Sequence, residues 1–576
     1  MILIFGGTTE GRIAVEVCEQ AGKPFYYSTK GAMQQVEMHN GVRLTGALSA
    51  AEISDFCRQN DVRCIVDAAH PFAVNLHHTI AQAGMPVIRL QRSFGARRTD
   101  VTYCTDYADA VTKMNGAGIR CLLALSGANT ITQLRGYWEH HKTVFRILNR
   151  ADSIEKAILS GFPTSNLVFY DEGNTLPTQD EERCLMQQLG CDAMITKESG
   201  ESGGFDAKVD AAVALGMKVF VVEHPALPDD WVYVGGGHGL RRAIESMADG
   251  FFPLRTGLTT GACATAATKA ALLSLLCDEA PDEVSFALPD GEVLTVPVAV
   301  DSRGVATVVK DFSDDPDVTK GCRITARVEK GEHGIRFLQG DGVGVVTLPG
   351  LGIPVGEPAV NPTPRRMIEA EIRSLSDDDY DVTISVENGR EIALKTFNAK
   401  VGVVGGISII GTSGIVSPLS NEAFVSSIRR EMEVARAIGC RCIGLVSGKK
   451  AEEALKGMMD VRCIHYGNFV GESLKIAAEL GFERVVLAIM IGKAVKLAEG
   501  NLDTHSHKVA MNKAFLKTLA APADADRIDG IAMARDLWNF MPPTFFEEVV
   551  RRCYDTCVTV FPHGDLKIEL ICEKRQ

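Results

Sequence analysis

A glycine-rich turn near the amino terminus is the first pattern in the chain that could do chemistry. It follows the first hydrophobic run and contains Gly6, Gly7, Thr8, Thr9, Glu10 and Arg12. Glycines at such a turn let the backbone approach a pyrophosphate, and the free N–H groups of the next helix attract its negative charge. The spacing is GGxxxG rather than GxGxxG, and parallel-sheet proteins without a dinucleotide use similar turns. The turn alone therefore leaves the ligand open.

A group of polar residues stands at the end of the second hydrophobic run. Ser28, Thr29 and Lys30 place two hydroxyls and an amine where NAD enzymes carry an acid for the ribose diol. This pattern favours the 2′-phosphorylated cofactor, NADPH, over NADH.

A histidine and an aromatic ring follow a later buried strand. His70, Pro71 and Phe72 lie at the predicted carboxyl end of that strand, where they could hold a large flat substrate or a nicotinamide ring. His70 next to a proline also fits the start of a helix without any chemical role. The sequence supports the two interpretations equally.

An equivalent loop occurs further along the first half of the chain. Residues 196–204 combine Lys197, Ser199 and Gly200 with other small residues, a composition suited to binding phosphate or carboxylate. The alternative is a flexible surface loop with no ligand.

The segment 254–264 opens the second half of the chain and leads into an alanine-rich predicted helix. Its side chains able to meet carboxylates or hydroxyls are Arg255, Thr256, Thr259 and Thr260. Small neighbours allow a flat ligand or another backbone to come close. Cys263 could be an activated nucleophile, but no partner base is assignable, so packing is the favoured interpretation.

Three further segments of the second half carry functional side chains. The acidic run 311–317 fails the pattern of a calcium loop and indicates a capped turn or a general base such as Asp315. A loop suited to an adenosyl group contains Gly405, Gly406, Ser408, Gly411 and Thr412. His505 has ligand-type neighbours, yet without a third cluster a metal site is the minority interpretation.

The composition excludes several classes of function. A net charge of −13 over 576 residues gives no global positive field for nucleic acid or anionic lipid. No uninterrupted apolar stretch approaches the ~18–20 residues of a membrane span, and no signal peptide is recognisable. The sixteen cysteines include no CxxC pair and read as reduced, buried thiols of a cytoplasmic protein. A homo-oligomer stays possible.

The elements that must position these residues form two contrasting halves. Over 1–248, short β-branched runs alternate with helical patterns, which predicts two Rossmann-like parallel-sheet subdomains, about 1–100 and 101–248. One helix is expected over 129–138. A break at 249–253 acts as a linker. The remainder predicts an α+β subdomain, about 254–400, and an α/β subdomain, about 401–576, with strands expected at 391–396 and 401–410.

The first half resembles the precorrin-6A reductase family of corrin biosynthesis. The shared segments are the glycine turn at 6–12, the D-A-A-H-P-F-A run at 67–73 and the T-K-E-S-G loop at 196–200. The resemblance implies a nicotinamide-dependent reduction of the corrin precursor macrocycle. One departure lies at 126–129, where the family more often has a Thr-Thr-Gly type turn.

The second half resembles the cobalt-precorrin-5B C1-methyltransferase family. The segments that carry the resemblance are 254–264, 314–319, 342–344, 361–365, 396–398, 405–408, 467–471 and 504–506. The resemblance implies S-adenosylmethionine as methyl donor and C1 of the corrinoid as acceptor. His507 stands where relatives usually carry a basic residue.

Together the resemblances imply a bifunctional enzyme that methylates cobalt-precorrin-5B and then reduces cobalt-precorrin-6A. His70 is expected to act as the acid of the reduction. The candidates for the base of the methyl transfer are Asp314, Asp315, Asp317 and His505, of which Asp315 and His505 are preferred. Cations expected to meet the acidic groups of the macrocycle are Arg12, Lys197, Arg255 and Arg365. Cobalt would arrive inside the substrate, so no protein metal site is required. The alternatives are that one half is only a docking scaffold, or that the first half is an unrelated dehydrogenase.

Overall fold

The computed structural model describes residues 1–31, 36–92, 94–170, 177–200, 203–277, 280–418, 420–505 and 508–572. Ser506, which belongs to one of the family segments, and His507 lie outside the described residues. The chain divides into two compact units. The N-terminal unit is Met1–Pro253 with Glu292–Leu294, and the C-terminal unit is Leu254–Gly291 with Thr295–Gln576.

The N-terminal unit alternates strands and helices along its length. Its strands are β1 (Ile2–Phe5), β2 (Phe25–Thr29), β3 (Gly41–Thr45), β4 (Cys64–Asp67), β5 (Val87–Leu90), β6 (Thr102–Cys104), β7 (Leu122–Ala124), β8 (Thr143–Leu148), β9 (Leu167–Tyr170), β10 (Ala193–Lys197), β11 (Lys218–Val222) and β12 (Val232–Val234). Its helices are α1 (Thr9–Glu19), α2 (Ala50–Gln59), α3 (Val74–Gln82), α4 (Tyr107–Asn115), α5 (Arg135–Trp138), α6 (Ala151–Leu159), α7 (Gln179–Leu189), α8 (Phe205–Ala214) and α9 (Gly237–Met247).

These strands form two six-stranded parallel sheets, which confirms the parallel architecture predicted for this half. The first has the order β12-β5-β4-β1-β2-β3 and the second the order β6-β11-β10-β7-β8-β9. Every residue of β1, β4 and β5 is buried, as expected for parallel strands that are covered on both faces. Four of these strands were not predicted from the sequence, namely β3, β6, β9 and β12.

The C-terminal unit mixes helices with mixed and parallel sheets. Its strands are β13 (Gly257–Leu258), β14 (Glu283–Ala287), β15 (Val293–Pro297), β16 (Ala299–Ser302), β17 (Val305–Val309), β18 (Arg323–Lys330), β19 (Ile335–Gln339), β20 (Val345–Val346), β21 (Tyr380–Val386), β22 (Val403–Val404), β23 (Ile415–Val416), β24 (Cys442–Val446), β25 (Arg462–His465), β26 (Arg484–Met490) and β27 (Asp565–Ile571). Its helices are α10 (Thr260–Cys277), α11 (Pro362–Leu375), α12 (Gly389–Ala393), α13 (Asn421–Ala437), α14 (Lys449–Met458), α15 (Val470–Glu479), α16 (Ile491–Ala498), α17 (Lys513–Leu519), α18 (Pro522–Ala525) and α19 (Pro543–Val558).

Two sheets organise this unit. The order β16-β17-β18-β21-β19 forms a mixed sheet against which α10 packs. The order β25-β24-β26-β27 forms a parallel sheet, and the largest cluster of buried apolar residues surrounds it.

Three predicted elements are wrong. The expected helix over 129–138 is interrupted: a 3₁₀ turn at Ala128–Thr130 is followed by the short α5. The expected strand at 391–396 is instead α12, which begins after Asn388 in a left-handed conformation with a φ of 56°. The expected strand over 401–410 shrinks to the two residues of β22.

One described helix is long and apolar enough to cross a membrane, contrary to the expectation from the sequence. Helix α10 has 18 residues, and 72% of this apolar segment is buried inside the protein. The expectation overlooked it because alanines, threonines and one lysine make up much of its length. A helix in the core of a soluble protein can have the same length and apolar composition, so these two properties are weak evidence for a membrane span.

Candidate functional site

The first sheet of the N-terminal unit has its switch point between the carboxyl ends of β1 and β4, the place where a ligand crevice is expected. From β1 the chain proceeds to β2 and β3 on one side, whereas β4 leads to β5 on the other. Open parallel sheets bind ligands at such a switch point. The hydroxyl of Thr8 donates a hydrogen bond to the Ala68 carbonyl at 2.7 Å, which joins the glycine turn to the His70 loop. The two segments singled out from the sequence are therefore neighbours.

The loop after β10 in the second sheet contacts this crevice. The Arg92 guanidinium lies 3.1 Å from a Glu10 carboxylate oxygen and donates a hydrogen bond to the Ser199 carbonyl at 3.0 Å. The Lys197 amine lies 5.3 Å from the centre of the Phe72 ring. Loops from both sheets thus converge, and Arg92, which the sequence analysis missed, links them.

The glycines of the first turn make room for a tyrosine of the protein itself. A Cβ at Gly6 would lie 2.3 Å from the Tyr27 ring, and a Cβ at Gly11 would lie 2.7 Å from its hydroxyl. The Gly7 N–H donates a hydrogen bond to the Tyr27 hydroxyl at 3.0 Å. Gly7 alone among these three has a φ of +103° and open space at its Cβ position. The backbone of this turn is therefore shaped by Tyr27, and only its outer side is open to a ligand.

Replacing Gly6 by alanine should destabilise the N-terminal unit by about 1–3 kcal/mol because the new methyl group overlaps the Tyr27 ring. Gly31→Ala is the matched control, since nothing lies within 4 Å of its Cβ position. Thermal unfolding of the full chain measures both. Equal melting curves for the two variants would show that Tyr27 does not constrain the turn.

The His70 ring is oriented by its own loop. Its Nδ1 accepts a hydrogen bond from the Phe72 N–H at 3.2 Å, which leaves the proton of the neutral ring on Nε2. Burial, followed by the charges of Arg92 and Lys197, lowers the pKa of His70 from 6.5 to about 4. A ring that is neutral at pH 7 can donate a hydrogen bond but carries no extra proton.

The lowered pKa of His70 predicts a pH-dependent stability. Between pH 6.5 and about 4 the unfolded chain protonates His70 while the folded protein does not, so stability decreases as the pH falls through this window. In the His70→Gln variant the melting temperature should decrease less steeply over that range. His39→Gln removes an exposed histidine of the same unit and is the control. If the melting temperatures of wild type and His70→Gln decrease equally over this pH range, the lowered pKa of His70 is contradicted.

A fully buried ionic network supports the His70 loop. The Asp67 carboxylate lies 2.8 Å from His77 Nδ1 and 3.0 Å from the Arg89 guanidinium. His77 Nε2 is 3.1 Å from the His70 carbonyl. The network therefore fixes the backbone at His70 from behind. A charged residue inside the buried runs of β4 and β5 was the signal in the sequence that could have revealed it.

The remaining predicted residues of this unit differ in accessibility. Arg12 and Lys30 are exposed, whereas Ser28 and Thr29 are buried. The Thr29 hydroxyl donates a hydrogen bond to the Gly31 carbonyl at 2.8 Å. Burial lowers the pKa of Lys197.

In the C-terminal unit the segment before α10 is bound to the acidic run. The Arg255 N–H donates to the Asp314 carboxylate at 2.7 Å, and the Leu258 N–H donates to Asp311 at 2.7 Å. Asp317 instead pairs with the buried amine of Lys310 at 2.8 Å. Asp311 and Asp314 therefore hold the segment in place.

The glycine segment predicted to bind a cofactor packs against the start of α10. The Ile410 N–H donates a hydrogen bond to the Thr260 hydroxyl at 2.9 Å. A Cβ at Gly411 would lie 2.3 Å from the Thr259 hydroxyl oxygen, and a Cβ at Gly406 would lie 2.3 Å from the Gly342 carbonyl oxygen. Gly406 thus avoids a neighbouring backbone, and Gly411 avoids the Thr259 side chain. Within the segment, Gly405 and Thr412 are exposed and Ser408 is half-buried.

A third cluster lies at the carboxyl end of the parallel sheet in the C-terminal unit. The Thr504 N–H donates to the Asn468 carbonyl at 3.0 Å, and the Gly471 N–H donates to the Leu502 carbonyl at 3.1 Å. The His505 N–H donates to Asp503 at 3.1 Å. Two segments more than thirty residues apart in sequence are therefore adjacent, and both belong to the family pattern.

Comparison with known proteins assigns both units. Residues 1–245 match the family model described as precorrin-6x reductase CbiJ/CobK, and residues 247–418 match the model described as CbiD. A cobalt-precorrin-5B C(1)-methyltransferase of Prosthecochloris aestuarii is 42% identical over 345 residues, which cover 55% of this chain and 94% of that protein. The chain belongs to the cobalt-precorrin-5B C(1)-methyltransferase family.

The chain is also similar to a second relative and to a solved structure. The cobalt-precorrin-5B C(1)-methyltransferase of Agrobacterium fabrum is 45% identical over 303 residues, covering 51% of this chain and 80% of that protein. A solved structure described as CobK precorrin-6A reductase is 21% identical, covers 43% of this chain and 97% of that chain, and gives a TM-score of 0.35. Both resemblances seen in the motifs are confirmed: one chain joins a precorrin reductase domain to a C1-methyltransferase domain.

Two predicted residues of the methyltransferase domain are already engaged within the protein. Arg365 contacts Glu357 at 2.7 Å, the Val360 carbonyl at 2.8 Å and the Phe337 ring at 4.9 Å. Cys263 is fully buried, which agrees with a packing role. All sixteen cysteines lie within the described residues and are free thiols.

Proposed function

We propose that the C-terminal unit methylates cobalt-precorrin-5B at C1 and that the N-terminal unit then reduces the product, cobalt-precorrin-6A. The observation that carries this proposal is the presence of both family matches on one chain. The two reactions are consecutive, because the product of the methyl transfer is the substrate of the reduction. Joining the units raises the effective concentration of the intermediate at the second site.

In the methyl transfer, the C-terminal unit has to position a carbon nucleophile in line with a methyl group. S-adenosylmethionine, when bound, supplies that methyl group as an electrophile. The accessible part of the glycine segment, namely Gly405, Ser408 and Thr412, is open to this ligand, whereas Gly406 and Gly411 serve to pack the loop. Asp315 and His505 are both half-buried and are the proposed bases that take up the proton from the macrocycle.

The threonine segment before α10 completes the proposed substrate site. Thr256, Thr259 and Thr260 are buried, and Thr259 and Thr260 already hold the glycine segment in place, so they act by fixing its shape. Arg255 is exposed over about half of its side chain and can meet an acidic group of the macrocycle.

In the reduction, the converging loops of the N-terminal unit bind the cofactor and the macrocycle. A reduced nicotinamide, when bound, supplies a hydride. Exposed groups on the outer side of the glycine turn fit its phosphates, namely Gly7, Thr9, Arg12 and Lys30. Because Glu10 is paired with Arg92, it shapes the turn instead of binding the ribose.

The opposite side of the same crevice fits the macrocycle. Pro71 and Phe72 provide apolar surface, and the loop with Lys197, Ser199 and Gly200 faces Phe72. The neutral His70 ring can orient the substrate by donating a hydrogen bond from Nε2. We place the subdomain boundaries near residues 100 and 400 and the linker at 249–253.

Ligand binding to the full chain tests both sites separately. NADPH and S-adenosylhomocysteine should each bind with one site per chain, independently of the other, and each should stabilise the protein by about 2.7 kcal/mol at a concentration 100 times its Kd. Titration calorimetry and thermal shift measure these values. A unit that binds neither its cofactor nor the macrocycle would be a docking scaffold rather than a catalyst.

A further inference from the structure

Two lysines of the C-terminal unit lie beside the third cluster and have no assigned role. Lys493 and Lys496 are three residues apart on α16, so they project from the same side of the helix. The Lys493 amine donates a hydrogen bond to the Gly467 carbonyl and lies 5.5 Å from the centre of the Tyr466 ring. The Lys496 amine donates to the Thr504 carbonyl at 3.3 Å. Both amines therefore reach the two segments that the family pattern singles out.

These amines lack the acidic partners that other lysines of the unit have. Lys269 pairs with Glu371 at 2.6 Å, and Lys310 pairs with Asp317 at 2.8 Å. Within the part of the chain that the structure describes, no carboxylate lies within ion-pair distance of Lys493 or Lys496. Two partly buried cations thus stand side by side without a counter-charge.

Burial and mutual repulsion make this arrangement costly for the protein alone. Burial, followed by the charge of Lys496, lowers the pKa of Lys493 to about 8. Burial also lowers the pKa of Lys496. A bound anion would offset both effects, because an opposite charge favours the protonated amine.

The position of the lysines in the fold matches a ligand crevice. From β24 the chain moves outward to β25 and then returns to β26 on the other side, so the switch point lies between β24 and β26. Gly448 follows β24 and Gly492 lies in the first turn of α16, and within the described residues no atom outside the helix backbone lies within 4 Å of either Cβ position. Helix α16 follows β26 directly. Its lysines therefore lie at the edge of the sheet where parallel α/β proteins bind ligands.

An aromatic pair borders the same place. The rings of Phe424 and Phe469 have centroids 5.6 Å apart, and Phe424 is 41% exposed. Gly467 has a φ of +57°, and its Cβ position is only 2.9 Å from the Phe424 ring. The crevice thus offers a flat apolar border next to two cations.

We propose that Lys493 and Lys496 together bind a carboxylate of a reactant in the methyl transfer. This inference rests on the proposed function of the C-terminal unit. Two reactants carry the required group: the amino-acid end of S-adenosylmethionine and the acidic side chains on the rim of the macrocycle. An amine binds either carboxylate as a charge-assisted hydrogen bond.

Neutral variants of the full chain test this site. Lys493→Gln and Lys496→Gln remove one charge each, and Lys475→Gln, which removes an exposed lysine of α15 paired with Glu472, is the matched control. Affinity for S-adenosylhomocysteine is measured by calorimetry, and the KM for cobalt-precorrin-5B is measured in the methylation assay. Each site variant should either weaken the binding of S-adenosylhomocysteine or raise the KM for cobalt-precorrin-5B by roughly 10–100-fold. Lys475→Gln should change neither constant, and none of the variants should change the reductase activity.

The pattern of losses identifies the reactant. Weaker binding of S-adenosylhomocysteine assigns the lysines to the methyl donor, whereas a higher KM for the corrinoid with unchanged donor affinity assigns them to the macrocycle. If a glutamine variant unfolds, Lys493→Arg and Lys496→Arg keep the charge and should retain the affinity of the wild type. Folded variants that change both constants by less than twofold would overturn the inference. A wild-type chain that does not methylate would instead overturn the proposed function.

Discussion

Replacing Arg89 by methionine should lower the stability of the N-terminal unit by about 3–5 kcal/mol. The Arg89 and Asp67 side chains are 2% and 0% exposed, and Arg89 is 3.0 Å from the carboxylate. Without the guanidinium, the buried Asp67 carboxylate keeps His77 as its one side-chain partner among the described residues. Because the chain has two units, hydrogen exchange of peptides from β4 and β5 is the appropriate measurement.

Arg63→Met provides the comparison for this variant. Arg63 pairs with Asp61 at 3.2 Å in the same unit, but both side chains are more than half exposed. Such a pair contributes about 0–1 kcal/mol. A similar small loss of protection in both variants would show that the Asp67 network does not stabilise the crevice.

Replacing Arg92 by leucine should lower the kcat/KM of the reduction by about 10–100-fold while leaving the methyl transfer unchanged. Arg92 and Glu10 are 7% and 8% exposed, and Arg92 also binds the Ser199 carbonyl, so one side chain joins loops from both sheets. Hydrogen bonds to charged groups contribute about 1.5–3 kcal/mol, and each 1.4 kcal/mol is tenfold. Separate assays of the two reactions on the same preparation measure the effect.

A second variant separates loop positioning from simple instability. In the double variant Glu10→Gln/Arg92→Leu, a neutral amide replaces the carboxylate that paired with Arg92, so stability should recover more than reductase activity does. Arg120→Leu removes an arginine that is 88% exposed in the same unit and should change neither reaction. Full recovery of the reduction in the double variant would contradict a positioning role for Arg92.

The sequence revealed the arrangement of the first half because alternation of strands and helices is a local pattern. It also placed the glycine turn, the His70 loop and the Lys197 loop at strand ends, where the structure finds them. The partners that shape these loops could not be predicted. Tyr27 lies under the glycine turn, and Arg92 joins it to the second sheet, through contacts between residues distant in sequence.

The second half was harder to predict because its glycines serve two purposes. A glycine that avoids a neighbouring backbone, such as Gly406 against Gly342, has the same sequence pattern as one that admits a ligand. The same ambiguity affects 391–396, where residues typical of a strand form α12. Lys493 and Lys496 were not noticed because only the fold shows that they lack acidic partners.

We conclude that one chain performs two consecutive reactions on one corrinoid. An anaerobic assay followed by mass spectrometry tests this conclusion most directly. The full chain is incubated with cobalt-precorrin-5B and S-adenosylmethionine, with and without reduced nicotinamide. We expect a product that gains one methyl group without the nicotinamide, and one methyl group plus two hydrogens with it. A substrate that stays unmethylated, or a methylated product that accumulates unreduced in the presence of the nicotinamide, would contradict the claim.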